Sequence, residues 1–119
     1  MRCWMIIKRG DVVLIDLEPI RSSEHGKTRP CLVIQNDTGN EFSSTTIVAA
    51  ITSNTDKKYP FTVFLKHGDG GLPKDSLVLC NQIRTVSKEH RIVKKWGRVP
   101  ADRIKAVDEA LKTSLGIED

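Results

Sequence analysis

The sequence predicts a mostly β domain: a small, curved antiparallel sheet or barrel-like sheet, closed off by one helix at the C-terminal end. Two observations carry this. Short runs rich in Val, Ile, Thr and Phe recur up to Pro100, separated by clusters of Gly, Pro, Ser, Asn and Asp. After Pro100 the apolar residues fall at helical rather than strand-like spacing, so strands come first and a helix last.

The elements follow in order. "DVVLIDL", Asp11 to Leu17, is β-branched and apolar with little alternation, as suits a strand covered on both faces. "EPIRSSEHGKT" breaks it with proline, glycine and serines and reads as a loop. "CLVIQ", Cys31 to Gln35, is a second strand. Arg29 precedes Pro30, which biases Arg29 toward extended backbone, and Pro30 is tolerated where a strand begins. "NDTGNEFSS", Asn36 to Ser44, is turn chemistry, and "TTIVAAIT", ending at Thr52, is the third strand. "SNTDKKYP" is a loop and "FTVFL", Phe61 to Leu65, alternates as a half-exposed strand does. "KHGDGGLPKD" is a glycine-rich turn with no Gly-Lys-Ser/Thr opening a helix, so it is not a phosphate-binding P-loop. "SLVLCNQIRTV" supplies one long or two short strands and "HRIVKKWGRV" the last. Ile104, Val107, Leu111 and Leu115 then mark an amphipathic helix, opened by Pro100 and capped by Gly116.

At 119 residues the chain is expected to form a single domain over 1–119, with no repeats, linkers or low-complexity segments. No run of about 18 apolar residues occurs, and Met1 to Ile7 is too short for the apolar core of a signal peptide, so a cytoplasmic location is expected. Cys3, Cys31 and Cys80 are widely separated, with no Cys-x-x-Cys pair, and read as packing residues. His25, His67 and His90 show no metal-ligand spacing, so neither a metal nor any other cofactor is expected. The formal charge of +4 leans toward a polyanionic partner. Arg21, Lys27 and Arg29 share one basic segment, Lys57 and Lys58 a second, and Arg91, Lys94, Lys95 and Arg98 a third; converging on one groove they would form a phosphate track.

The candidate chemistry lies at strand ends. Arg29 enters one strand, Thr52 and Ser53 leave another, and Glu24 and His25 stand on the loop beside the arginine. A guanidinium brings fixed positive charge and a fork of donors matched to phosphate oxygens, and a threonine hydroxyl adds one more donor. The pair suits a phosphoryl transition state better than acyl transfer, for which no flanked Ser/His/Asp set is present. On composition alone, a surface ion pair between Arg29 and Glu24 is the stronger reading, Thr52 is an ordinary strand-end residue and His25 a loop histidine. Trp4 and Trp96 read as core or dimer packing rather than as base-stacking rings.

The ordered blocks "KRGDVVLIDLEP", "SEHGKTRPCLVIQND", "TTIVAAIT", "DSLVLCNQIRTV" and "VDEALKTSLG" change that balance for Arg29 and Thr52. From Lys8 to Ile117 they resemble the MazF/PemK family of toxins, the ribonucleases called mRNA interferases. The resemblance implies a small SH3-like, barrel-like sheet with a C-terminal helix, a homodimer, and sequence-specific cleavage of single-stranded mRNA without a metal. It also implies attack by the 2′-hydroxyl on the adjoining phosphate, leaving a 2′,3′-cyclic phosphate and a 5′-hydroxyl. The arginine before the proline and the threonine ending the Ile-Thr strand carry the reaction in that family, and they match Arg29 and Thr52 here. Glu24, His25 and Ser53 are candidates for support, and Arg21, Ser23, Lys27, Lys57, Lys58, Gln82 and Arg84 for RNA binding.

Dependence on the 2′-hydroxyl would spare the corresponding DNA. An arginine with a pKa above about 12 is a poor general base, so Arg29 is assigned to stabilising charge on the phosphorane, and His25 is the group whose ordinary pKa suits proton transfer. Three positions depart from the family pattern: Ser22 stands where glycine is usual, His25 where many relatives carry glutamine, and Asn81 where an acidic residue is common. The resemblance further implies a cognate MazE-like antitoxin whose flexible, often acidic tail covers the RNA groove. Two rival readings belong to other classes: a relative that binds RNA without cutting it, and a toxin of the related CcdB kind that acts on a protein, gyrase.

Overall fold

The structure, a computed structural model, describes residues 6–17 and 28–118. Strands β1 (Asp11–Asp16), β2 (Thr28–Val33), β3 (Thr45–Thr52), β4 (Thr62–Leu65), β5 (Ser76–Ser87) and β6 (Ile92–Arg98) form one antiparallel sheet in the order β4-β5-β3-β2-β1-β6. The sheet does not close on itself, so β4 and β6 are its edges. Register shifts between β1 and β6, and one between β3 and β5 at Ala49/Ala50, are irregularities of the kind that bend and twist a sheet.

Alternation along the strands sorts the apolar residues into two clusters. Val12, Leu32, Ala49, Ile51, Val63, Leu65 and Val78 face one side, where Val107 and Ala110 of helix α3 (Ala101–Leu115) pack on them. Val13, Ile15, Cys31, Val33, Val48 and Val86 face the other. Strand β1 contributes to both clusters, which is why its sequence reads as a nearly unbroken apolar run. Helix α3 begins after Pro100, ends at Gly116 in the left-handed conformation (φ 73°), and is tied to the sheet by Arg9, whose guanidinium meets Asp108 at 2.9 Å. Trp96 is half-buried against the helix-side cluster, a packing role.

Several boundaries differ from the sequence expectation. Strand β2 begins at Thr28 rather than Cys31, so Pro30 lies within it, opposite Leu14. The segment 36–44 is not only a turn: α1 (Asp37–Phe42) forms there because Asn36 caps it, its side chain accepting from Gly39 N at 2.7 Å. Asn40, buried in α1, accepts from Thr46 Oγ1 (2.6 Å) and Gln35 Nε2 (3.0 Å), which fixes the short helix to β3. A single turn, α2 (Lys88–Arg91), capped by Ser87, separates β5 from β6. The glycine-rich segment contains a 3₁₀ turn, Asp69–Gly71, in which Gly70 (φ 59°) lies so close to the sheet that a Cβ would stand 2.4 Å from Val12 Cγ2.

Candidate functional site

In an antiparallel ladder, residues directly opposite share a face. Strand β1 pairs Ile15 with Arg29 and Val13 with Cys31; β2 pairs Cys31 with Ala50; β3 pairs Val48 with Arg84. Arg29 and Arg84 therefore share the sheet face away from α3, with Cys31 between them. Burial pushes the Cys31 thiol up to about 11, and the positive charges of Arg84 and then Arg29 act against that rise. Both guanidinium groups thus act on one point of this face while remaining exposed. The β2–β3 register, continued two residues past its last pair, sets Arg29 level with Thr52.

Thr52 ends β3 half-buried, and its hydroxyl oxygen accepts from Asn54 N at 3.1 Å. Asn54 Oδ1 in turn accepts from Asp56 N at 3.0 Å, so the chain leaves the strand through local side-chain turns. The hydroxyl hydrogen of Thr52 is not used in that turn and can be donated outward. Beside Thr52 opens a cleft of about 410 Å³, whose lining includes Asn54, Lys57, Tyr59, Asn81 and Gln82 above a floor of Leu77 and Leu79. The floor follows from register, because Leu77 and Leu79 lie opposite Thr52 and Ala50. Asn81 and Gln82 reach the cleft because Ala50 pairs with Leu79 but Ala49 with Ile83, leaving Cys80, Asn81 and Gln82 without partners on β3.

Among the residues singled out from sequence, Arg29, Thr52 and Arg84 occupy the face away from α3, and Lys57 and Gln82 line the adjoining cleft. Ser53 is exposed on the turn after Thr52. Lys58 is directed elsewhere: its ammonium lies 5.4 Å from the centroid of Phe64, whose ring lines a different cleft with Pro100 and Arg103. Arg21, Ser23, Glu24, His25 and Lys27, with Cys3, Trp4 and Ser22, lie outside the described residues. Of the third basic segment, Lys95 and Arg98 pair with the buried Asp11 at 3.6 and 3.3 Å, so these two serve the fold. Cys31 and Cys80 are buried free thiols, and among the described residues no group of three or more His, Cys, Asp or Glu could hold a metal.

The sequence reading missed Tyr59, Asn54 and the placement of Asn81. Tyr59 carried a signal, an aromatic–Pro–aromatic triplet after a polar loop, whereas Asn81 becomes visible as a lining residue only once the strand register is known.

Residues 8–115 match the family model described as the PemK-like, MazF-like toxin of type II toxin-antitoxin systems. The endoribonuclease EndoA of Bacillus subtilis (strain 168) is 47% identical over 116 residues, covering 97% of this chain and 99% of that protein. The MazE–MazF structure (Form-II) from Deinococcus radiodurans superposes with a TM-score of 0.78 at 25% identity, covering 96% of this chain and 99% of that one. An endoribonuclease from a mycobacterial species gives a TM-score of 0.79 at 22% identity over 99% of both chains, a likeness of fold. With an open six-stranded sheet, a C-terminal helix and a family model that spans residues 8–115, the chain belongs to the PemK-like, MazF-like toxins of type II toxin-antitoxin systems.

Proposed function

We propose that this chain is an endoribonuclease that cuts single-stranded RNA at Arg29 and Thr52 and is held in check by a MazE-like antitoxin. The observation that carries the reading is the gathering of Arg29, Arg84 and Thr52 on the sheet face left free by α3, beside an open cleft edged by Lys57 and side-chain amides. Family membership and a relative named for endoribonuclease activity support it over a gyrase-directed or non-cleaving role.

The chemistry follows from the side chains. The 2′-oxygen attacks the adjoining phosphorus, the bond from phosphorus to the 5′-oxygen breaks, and a proton passes from the 2′-hydroxyl to the departing 5′-oxygen. Charge builds on the non-bridging oxygens in the transition state, and Arg29 meets it with a permanently charged fork, Thr52 with a hydroxyl held by its turn. Arg84 adds positive potential along the same face. Ser53, Glu24 and His25 are proposed to support the reaction, His25 as the group suited to moving the proton. Arg21, Ser23, Lys27, Lys57 and Gln82 are proposed to hold the strand.

The Deinococcus relative was solved with MazE, and the same kind of partner suits this chain: an acidic, flexible segment laid over the basic face would compete with RNA for it. The protein is further proposed to act as a homodimer in the cytoplasm, where mRNA is translated. The test is cleavage of a long end-labelled single-stranded RNA in EDTA, with its DNA counterpart as control. Wild type cuts the RNA alone, at a short recurring motif, and Arg29→Ala binds it but cuts about a hundred to a thousand-fold more slowly. Binding by both proteins with no cutting would sink the enzyme reading.

A further inference from the structure

The cleft beside Thr52 contains an arrangement that phosphate chemistry alone does not use. Tyr59 stacks on Phe61 with ring centroids 5.1 Å apart and 13° between the planes. Phe61 is half-buried against the helix-side core, so the inner ring is anchored, whereas Tyr59 is 50% exposed. The backbone between them is fixed: Tyr59 N donates to Thr62 Oγ1 at 3.0 Å, Thr62 N donates to Tyr59 O at 2.9 Å, and Cys80 N donates to Phe61 O at 2.9 Å. Pro60 removes one more backbone freedom. A two-ring stack held at one end and open at the other is a rigid platform with little ordering cost left for a third flat ring.

The polar lining of the cleft suits such a ring. The side-chain amides of Asn81 and Gln82 stand on the unpaired stretch of β5, and each offers one acceptor and two donors, the pattern that pairs with the edge of a nucleobase. Lys57 supplies the charge for a neighbouring phosphate. We propose that Tyr59 is the stacking platform for one unpaired nucleobase next to the cut site, and that Asn81 and Gln82 read that base's edge and so set one position of the recognition motif. The proposal rests on the RNA-cleavage reading above and adds to it a specificity pocket whose ring and amides belong to this chain.

The test uses the full chain and a single-stranded RNA pool of random sequence, with cut ends mapped by sequencing, and compares wild type with Tyr59→Ala, Tyr59→Phe and Asn81→Asp. Tyr59→Ala raises KM about 5- to 100-fold, the loss expected for one base–aromatic stack, with kcat largely kept. Tyr59→Phe, which keeps the ring, restores KM. Asn81→Asp turns a donor–acceptor amide into an acceptor-only carboxylate, and moves one motif position toward guanine, whose Watson–Crick edge presents adjacent donors. An abasic nucleotide at that position costs wild type at least as much as Tyr59→Ala does, and costs Tyr59→Ala less than it costs wild type, because the stack is already gone and only the edge contacts remain to be lost.

Cleavage by Tyr59→Ala with unchanged KM and motif would overturn the proposal while leaving the ribonuclease standing, as would a fall in kcat alone. Failure of wild type to bind or cut the pool would instead overturn the ribonuclease reading and this proposal with it. If Tyr59→Ala does not fold, Tyr59→Leu replaces it, since leucine fills the space without a stacking face.

Discussion

Replacing Thr52 by valine removes one oxygen and keeps the branched shape that suits the end of β3. The hydroxyl has two uses in this account, and the structure separates them. As an acceptor it holds Asn54 N at 3.1 Å in an exposed turn, where water can take over the freed N–H, so its loss costs stability less than about 1 kcal/mol. As a donor it faces charge that develops only in the transition state, where loss of one positioned hydrogen bond typically raises the barrier by about 2.7–4 kcal/mol, roughly a hundred to a thousand-fold in kcat. Single-turnover cleavage of end-labelled RNA and urea denaturation measure the two separately. Thr52→Val is expected to unfold within about 1 kcal/mol of wild type while cutting a hundred-fold more slowly or worse, and Thr52→Ser to recover most of the rate. A kcat within about fivefold of wild type would refute the assigned role, and so would parallel losses of rate and stability, which mark a structural residue.

Other consequences are open to simpler measurements. Lys57→Ala should weaken RNA binding and reduce the slope of log K against log salt by about 0.7, the value for one phosphate contact on a single strand; an unchanged slope would remove Lys57 from the track. Gly70→Ala should destabilise by about 2–4 kcal/mol, combining a left-handed φ of 59° with a Cβ set 2.4 Å from Val12 Cγ2. Gly68→Ala, whose Cβ meets open space at φ 95°, should cost about 1–2 kcal/mol, and equal costs in denaturant would contradict the packing. Burial raises the Cys31 thiol from 9.0 to about 11, so the stability it contributes is complete below pH 9 and is lost as pH rises toward 11. The stability difference between wild type and Cys31→Ala should therefore shrink by about 2–3 kcal/mol across that interval, and a flat difference would show the thiol is not so held.

Much of the fold was legible because its signals are local. The β-branched runs, Pro100 ahead of the helix and Gly116 behind it each act within a few residues. The segment 36–44 was harder: Asn, Asp and Gly favour turns, and what makes α1 helical is the buried link from Asn40 to Thr46 and Gln35, contacts that chain order does not display. Pro30 looked like the start of a strand because its missing N–H removes a ladder donor, yet β2 runs through it from Thr28. Arg29 and Thr52 could be named in advance only through ordered family blocks, since each is unremarkable by type. The placement of Arg84, Asn81 and Gln82 depends on the register shift between Ala49 and Ala50, which decides the face each residue takes. Lys57 and Lys58 are indistinguishable in sequence, and only the position of the Phe64 ring separates the one that lines the cleft from the one that does not.

The most direct test of the central claim is one RNA cut at a mapped site, compared with the same RNA carrying a single 2′-deoxyribose on the 5′ side of that bond. The account predicts that the deoxy site resists cleavage while other sites are cut as before, and that the products of the unmodified RNA end in a 2′,3′-cyclic phosphate and a 5′-hydroxyl. Cutting of the deoxy site at the normal rate, or products ending in a 3′-hydroxyl and a 5′-phosphate, would contradict it.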